Sequence, residues 1–201
     1  IEWTQETWNP IVGCSVVSPG CTNCYAMTMA ARLEALGTLP QYAGTTQKTK
    51  GGPVWTGKLA LAPEATLLAP LRRRKPTVYF VNSMGDLFAE GVELDWLDEI
   101  FDEMEAADWH TYIVLTKRAD AMEDYLARRW AARPPPAHIW LGISAEDQLR
   151  FDLRWPALAR TPAAVRLFSF EPLIGPIDPG AAFSTGLFQW AIVGGESGDA
   201  R

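Results

Sequence analysis

All three cysteines of the chain lie in one stretch, Gly13-Cys14-Ser15-Val16-Val17-Ser18-Pro19-Gly20-Cys21-Thr22-Asn23-Cys24-Tyr25. Thiolate is a soft ligand suited to zinc, copper(I) and iron–sulfur clusters. Cys21 and Cys24 form a C-x-x-C pair whose sulfurs can converge on one centre. Pro19 and Gly20 can turn the chain so that Cys14 reaches the same place. A closed structural zinc site takes four protein ligands, and an ordinary iron–sulfur cluster takes four cysteines. With three cysteines, one coordination position falls to another side chain, to solvent or to a bound molecule, and an open position is what a reactive metal centre needs.

Other readings of the thiols compete with this one. Free cysteines often pack in cores, but Gly, Pro, Ser, Thr and Asn around these three argue against a core position. A disulfide with one thiol left over fits an odd count poorly, and no secretory signal is visible. A redox C-x-x-C leaves Cys14 unexplained. Zinc with His110 or His138 as the fourth ligand is the strongest alternative to iron–sulfur.

The elements that must position the thiols come next. At 201 residues and 48% apolar composition, the chain can build one domain, 1–201, with a sizeable core. No apolar run is long enough to span a bilayer, so a cytoplasmic, reducing compartment and no membrane partner are expected. A net charge of −6 gives no general attraction to nucleic acid. The local basic run Leu71-Arg72-Arg73-Arg74-Lys75 reads as a helix C-terminus complementing its dipole.

The apolar piece just before Cys14 reads as a first strand. Tyr25 to Leu36 reads as a helix closed by Gly37, so the cysteine loop enters a helix N-terminus. Residues 38–57 read as a long polar loop, and 57–61 as a short strand. Pro63 to Arg74 reads as a helix with Pro at its first turn. Strands are expected at 77–82, 111–116, 138–143, 165–170 and 188–193. A helix with the buried stripe Leu94, Leu97, Ile100, Phe101 and Met104 lies between the first two. Another runs from Ala119 to Trp130. A third carries Leu149, Leu153 and Leu158 and is interrupted by Pro156.

Apolar strands alternating with amphipathic helices predict an α/β fold with about six parallel strands. A partial (β/α) barrel fits this number best, and a doubly wound sheet is the alternative. In both, ligands sit beyond the C-terminal ends of the strands. Those ends carry Asn82-Ser83-Met84-Gly85-Asp86, Thr116-Lys117-Arg118, Ser144-Ala145-Glu146-Asp147, Ser169-Phe170-Glu171-Pro172 and Gly194-Gly195-Glu196-Ser197-Gly198. Ser144 also reads as a helix N-cap with Asp147 at N3, and Asp86 as a turn residue. Glu171 and Glu196 follow apolar strands directly and are favoured for a site role.

These segments, together with Trp8-Asn9-Pro10, Gly13-Cys14, Ser18-Pro19-Gly20-Cys21, Cys24-Tyr25-Ala26 and Trp140-Leu141-Gly142-Ile143-Ser144, carry a resemblance. The chain resembles a family of phage-encoded three-cysteine proteins of unassigned activity. That family looks like a divergent branch of the radical S-adenosylmethionine superfamily, with distant similarity to spore photoproduct lyase. The resemblance implies a radical-SAM-like partial barrel with a [4Fe–4S] cluster on Cys14, Cys21 and Cys24, and S-adenosylmethionine on the open iron. It implies Tyr25, Asn82, Ser83, Asp86, Lys117, Ser144 and Glu146 as cofactor neighbours. Glu171 and Glu196 are then the catalytic carboxylates, positioning substrate or moving protons. A small-molecule or nucleic-acid substrate and a reductant protein for the cluster are the implied partners. The spacing here is C-x6-C-x2-C, where the superfamily's is C-x3-C-x2-C. Asn23 stands where an aromatic residue usually precedes the third cysteine, and Tyr25 is its expected substitute. Relatives are expected to continue beyond Arg201, and an exposed last strand predicts a covering segment or partner chain. Two other function classes stay open. One is a zinc-bound nucleic-acid or protein interaction module without catalysis. The other is a barrel hydrolase using Glu171 and Glu196.

Overall fold

The computed structural model describes residues 2–196. In chain order its elements are β1 (Glu6–Trp8), β2 (Ile11–Val12), α1 (Tyr25–Leu36), β3 (Thr46–Thr49), β4 (Gly52–Trp55), β5 (Ala60–Leu61), α2 (Glu64–Leu67), α3 (Ala69–Arg72), β6 (Val78–Val81), α4 (Leu94–Ala106), β7 (Thr111–Thr116), α5 (Ala119–Arg129), β8 (Ile139–Ser144), α6 (Gln148–Arg160), β9 (Val165–Phe170), α7 (Gly180–Phe183) and β10 (Trp190–Val193). Six strands form one sheet in the order β1-β6-β7-β8-β9-β10, and the pairs β1–β6, β8–β9 and β9–β10 are parallel. The order follows the chain without a reversal. A doubly wound sheet requires a reversal, so that alternative is set aside. No helix among the described residues is long and apolar enough to cross a membrane.

The chain divides into two compact units, with the boundary inside β7. One holds the chain up to Val17 and Cys24–Tyr112; the other holds Ser18–Asn23 and the chain from Ile113 on.

In the first unit, Val12, Ala26, Met27, Ala30, Tyr42, Trp55 and Met84 make a buried cluster. Cys24 is the N-cap of α1, and Gly37, at φ 68°, ends it by donating its N–H to the Glu34 carbonyl at 3.0 Å. A left-handed residue at this place is what glycine supplies without strain. Residues 38–57 are not an open loop. They contain the antiparallel hairpin β3–β4, in register from Thr46↔Trp55 to Thr49↔Gly52, and the Thr49 hydroxyl closes its turn on the Gly52 carbonyl at 2.7 Å. The apolar piece before Cys14 is a strand, but not the first of the large sheet: β2 pairs antiparallel with β5, and β1 takes the sheet position. The helix expected over 63–74 is broken at Leu68 into α2 and α3. Pro70 has no N–H to give the carbonyl four residues back and crowds it.

In the second unit, alternate residues of β8, β9 and β10 face opposite sides. One side is aromatic. Phe151 of α6 meets Phe168 and Phe170 edge-on at 5.0 and 5.7 Å, and Phe188 stacks on Phe168 at 4.2 Å. The other side carries Trp140, Gly142 and Ser144, in register with Val165, Leu167 and Ser169. The stripe expected for α6 is rotated: Phe151, Arg154, Ala157 and Leu158 are buried, whereas Leu149 and Leu153 are exposed. In α4 the outlier is Leu94, which is exposed while the other four stripe residues are buried. Asp147, not Ser144, caps α6, its Oδ1 accepting from the Arg150 N–H at 2.9 Å. Pro156 lies inside this helix without ending it.

Gly142 has no room for a side chain. A Cβ there would lie 2.7 Å from Leu115 Cδ2 and 2.8 Å from Leu167 Cγ. Overpacking of this kind costs about 1–3 kcal/mol, so Gly142→Ala is expected to lower the unfolding free energy by about that amount in a urea titration. Gly195 has nothing within 4 Å of an added Cβ, and Gly195→Ala should stay within about 0.5 kcal/mol of the parent. Equal midpoints for the two variants would contradict the packing described for this side of the sheet.

Candidate functional site

None of the three thiols is in a disulfide, and all three are half-buried. Cys14 follows β2 and Gly13. Gly13 has φ 93°, and a Cβ there would overlap the Lys58 carbonyl oxygen, so the position requires glycine. Its N–H donates to the Met84 carbonyl at 3.2 Å, and it bridges Gly85 in parallel. Cys14 and Cys24 pack against the Val12–Met84 cluster. Cys24 is the N-cap residue of α1. Cys21 closes a one-turn 3-10 helix, Pro19–Cys21.

Several predicted residues gather beside Gly13 and Cys14 in the first unit. Asn82 has φ 67°, donates its N–H to the Trp8 carbonyl at 2.7 Å and accepts from the Ile11 N–H through Oδ1 at 3.1 Å. Its buried Nδ2 has no partner. The Ser83 hydroxyl donates to Asn9 Oδ1 at 3.0 Å, which also accepts from the Met84 N–H at 2.9 Å. The Tyr25 hydroxyl donates to the Ser83 carbonyl at 3.2 Å. Asp86 is buried and accepts from the Phe88 N–H at 3.0 Å, as a turn residue does. Asn9 escaped the sequence reading as a functional position. Its signal was an Asn-Pro step at the end of a strand, a common turn opener.

The second unit holds the rest, and two of them, Glu146 and Glu196, contact the Gly20–Asn23 stretch. Glu146 is fully buried. Its Oε1 accepts from the Gly20 N–H at 3.2 Å, and Arg154 Nη1 donates to Oε2 at 3.0 Å. Arg154 also donates to the Ser144 carbonyl at 2.7 Å. Asn23 Nδ2 donates to Glu196 Oε1 at 2.9 Å, tying the exposed Glu196 to the loop between Cys21 and Cys24. Glu171 is half-buried, with Ser169 Oγ 3.3 Å from Oε2 and Oε1 against Gly194, where a Cβ would come within 2.5 Å of it. The hydroxyl of the buried Ser144 is on the same side as Ser169. Lys117 is half-buried just after β7. Ser197 and Gly198 lie outside the described residues.

The two histidines are placed at the starts of strands. His110 is buried ahead of β7. Its Nδ1 accepts from the Thr77 N–H at 3.1 Å and its Nε2 lies 2.9 Å from the Pro70 carbonyl. Both ring nitrogens are therefore spent, which leaves none for a metal. His138 is half-buried just before β8. Among the described residues, no three His, Cys, Asp or Glu side chains are arranged to hold a single metal ion.

The electrostatics of Glu146 yield a pH dependence. Burial by itself pushes its carboxyl up, but the Ser18 hydroxyl, Arg154 and the Gly20 N–H together hold it below its ordinary value of 4.5. A carboxyl depressed in the folded state contributes stability that is complete above the unfolded-state pKa and is lost as pH falls through the folded one. Stability should therefore drop below pH about 4.5, and this component should be missing from Glu146→Gln. At pH 7 that variant should be less stable by about 3–5 kcal/mol, because Arg154 is left buried without its partner. Urea midpoints at pH 7 and pH 4 check both statements; parallel acid losses in the two proteins would contradict the pairing.

The geometry gains a family context from comparison with known proteins. The family described as protein of unknown function (DUF5131) matches residues 1–201. No curated protein and no solved structure matches the chain. The family match takes in the cysteine stretch and every strand-end segment, and the chain belongs to the DUF5131 family.

Proposed function

We propose that the protein is an iron–sulfur enzyme of the radical S-adenosylmethionine type, with a partial (β/α) barrel as its scaffold. The observation that carries the reading is the Cys21 turn, pinned by Glu146 at the end of β8 and by Glu196 at the end of β10. A cysteine loop fixed to strand C-termini stands where a parallel α/β sheet binds its ligands. The in-order sheet supports the scaffold.

The donor set fits a cluster better than a single ion. It is three half-buried thiols, none in a disulfide, in eleven residues. A cubane seats each thiolate on its own iron, so the sulfurs need not converge on one point as the four ligands of zinc must. Cys14, Cys21 and Cys24 would hold it. When bound, such a cluster supplies the electron that cleaves S-adenosylmethionine to a 5′-deoxyadenosyl radical.

The protein's own residues divide the remaining work. Glu171 Oε1 has no hydrogen-bond partner among the described residues, and Ser144 brings its hydroxyl to the same side of the sheet. This pair accepts N–H donors, so it suits a nucleobase edge or an amine and repels phosphate. Glu196, bound to Asn23, is placed to orient the cysteine loop. A reductant protein is the implied electron source. β10 ends the sheet order and Val193 is 64% exposed, so a covering segment or partner chain belongs to the proposal.

Anaerobically reconstituted protein should be brown and hold roughly four irons per chain with matching sulfide. Cys21→Ala should lose most of both. Colourless protein carrying one tight zinc would replace this reading with a binding module, and activity surviving a triple Cys→Ala change would replace it with a hydrolase.

A further inference from the structure

We infer that Glu146 and Ser18 are positioning residues for Cys21: they set the sulfur through the Pro19–Cys21 turn and contact no bound molecule themselves. The first ground is access. Glu146 has zero exposure; one carboxylate oxygen accepts from the Gly20 N–H and the other from the Arg154 guanidinium. No oxygen is left to face a ligand.

The second ground is fit. A Cβ on Gly20 would lie 3.1–3.3 Å from Cδ, Cβ and Cγ of Glu146. The turn therefore rests close on the side chain, and a Cβ here would require Glu146 to give by a few tenths of an ångström. The third ground is the contact at the thiol. The Ser18 hydroxyl lies 3.9 Å from Cys21 Sγ, and the Cys21 N–H donates to the Ser18 carbonyl at 2.9 Å. The contacts thus run from Arg154 through Glu146 to Gly20, with Ser18 against Cys21 in the same turn. The Glu146 carbonyl extends the anchor by accepting from the N–H groups of Ile174 at 2.9 Å and Gly175 at 3.1 Å, so the loop after Glu171 is held by the same residue.

The positioning of Cys21 stands on these contacts alone, while its consequence for a cluster rests on the proposed function. The test separates the two. Metal-free full-length chain is pulse-labelled with iodoacetamide, and each cysteine is quantified by mass spectrometry. Two variants loosen the anchor from opposite sides. Gly20→Ala wedges the turn off Glu146 with the ion pair intact. The double change Glu146→Leu with Arg154→Met removes both charges together and leaves neither buried alone. In each, labelling of Cys21 should rise about tenfold or more, as expected for losing a hydrogen bond to a charged group, with Cys14 and Cys24 changing less than about twofold. Ser18→Ala should give a smaller rise at Cys21 only. Iron retention after reconstitution is the second readout and should fall in the same order. If neither the parent nor any variant takes up iron, the functional reading fails and the labelling still decides the positioning. Unchanged Cys21 labelling in both loosened variants, or all three cysteines rising together, would overturn the inference.

Discussion

A carboxylate taken wholly out of water must be met by donors on every side, or the fold does not tolerate it. Glu146 meets that demand with parts drawn from distant sequence. The Gly20 N–H comes from the cysteine turn, and the guanidinium comes from two turns into α6. Arg154 is fixed in turn by the Ser144 carbonyl at the end of β8. One side chain therefore makes the strand end, the helix and the Cys21 turn mutually dependent. None of the three can shift without leaving a buried charge short of a partner.

The first unit solves the same problem with neutral groups. Asn9 and Asn82 each spend a side-chain oxygen on backbone N–H groups, at Met84 and Ile11. Neutral amides carry a smaller desolvation cost than a carboxylate, and Asn82 accordingly leaves Nδ2 unsatisfied. The consequence is chemical. Cys14 and Cys24 pack against the apolar cluster of the first unit. The turn that ends at Cys21 rests on the ionised Glu146–Arg154 pair, so acid acts on that turn through Glu146.

Much of the fold was legible because apolar runs declare buried strands. β7 and β9 match the expected ranges residue for residue, and β6 and β8 match within a residue at each end. The hairpin β3–β4 was not legible. Thr46-Gln47-Lys48-Thr49 has no apolar alternation, and its stability comes from cross-strand bonds and the buried Trp55. β1 escaped because three residues with the burial pattern exposed, exposed, buried give no period to read. The face of α6 was misjudged because leucine was taken as the marker of burial. Arg154 on the buried face was the better signal: an arginine three residues from Phe151 and from Ala157 needs a carboxylate nearby, and Glu146 is the one it found.

The strand-end residues sort by whether the fold already uses them. Asn82, Ser83, Asp86 and Glu146 hold backbone or one another, and Glu196 holds Asn23. A polar group spent in this way shapes a site without touching what enters it. Glu171 differs. Its Oε2 has only a long contact with the Ser169 hydroxyl, and its Oε1 lies where Gly194 gives up a side chain to make room. This half-buried carboxylate oxygen, without a hydrogen-bond partner among the described residues, is where an incoming N–H would gain a charge-assisted bond. Under the proposed function, that ranks Glu171 above Glu196 as the carboxylate to meet a substrate, while Glu196 is tied to Asn23 of the cysteine loop.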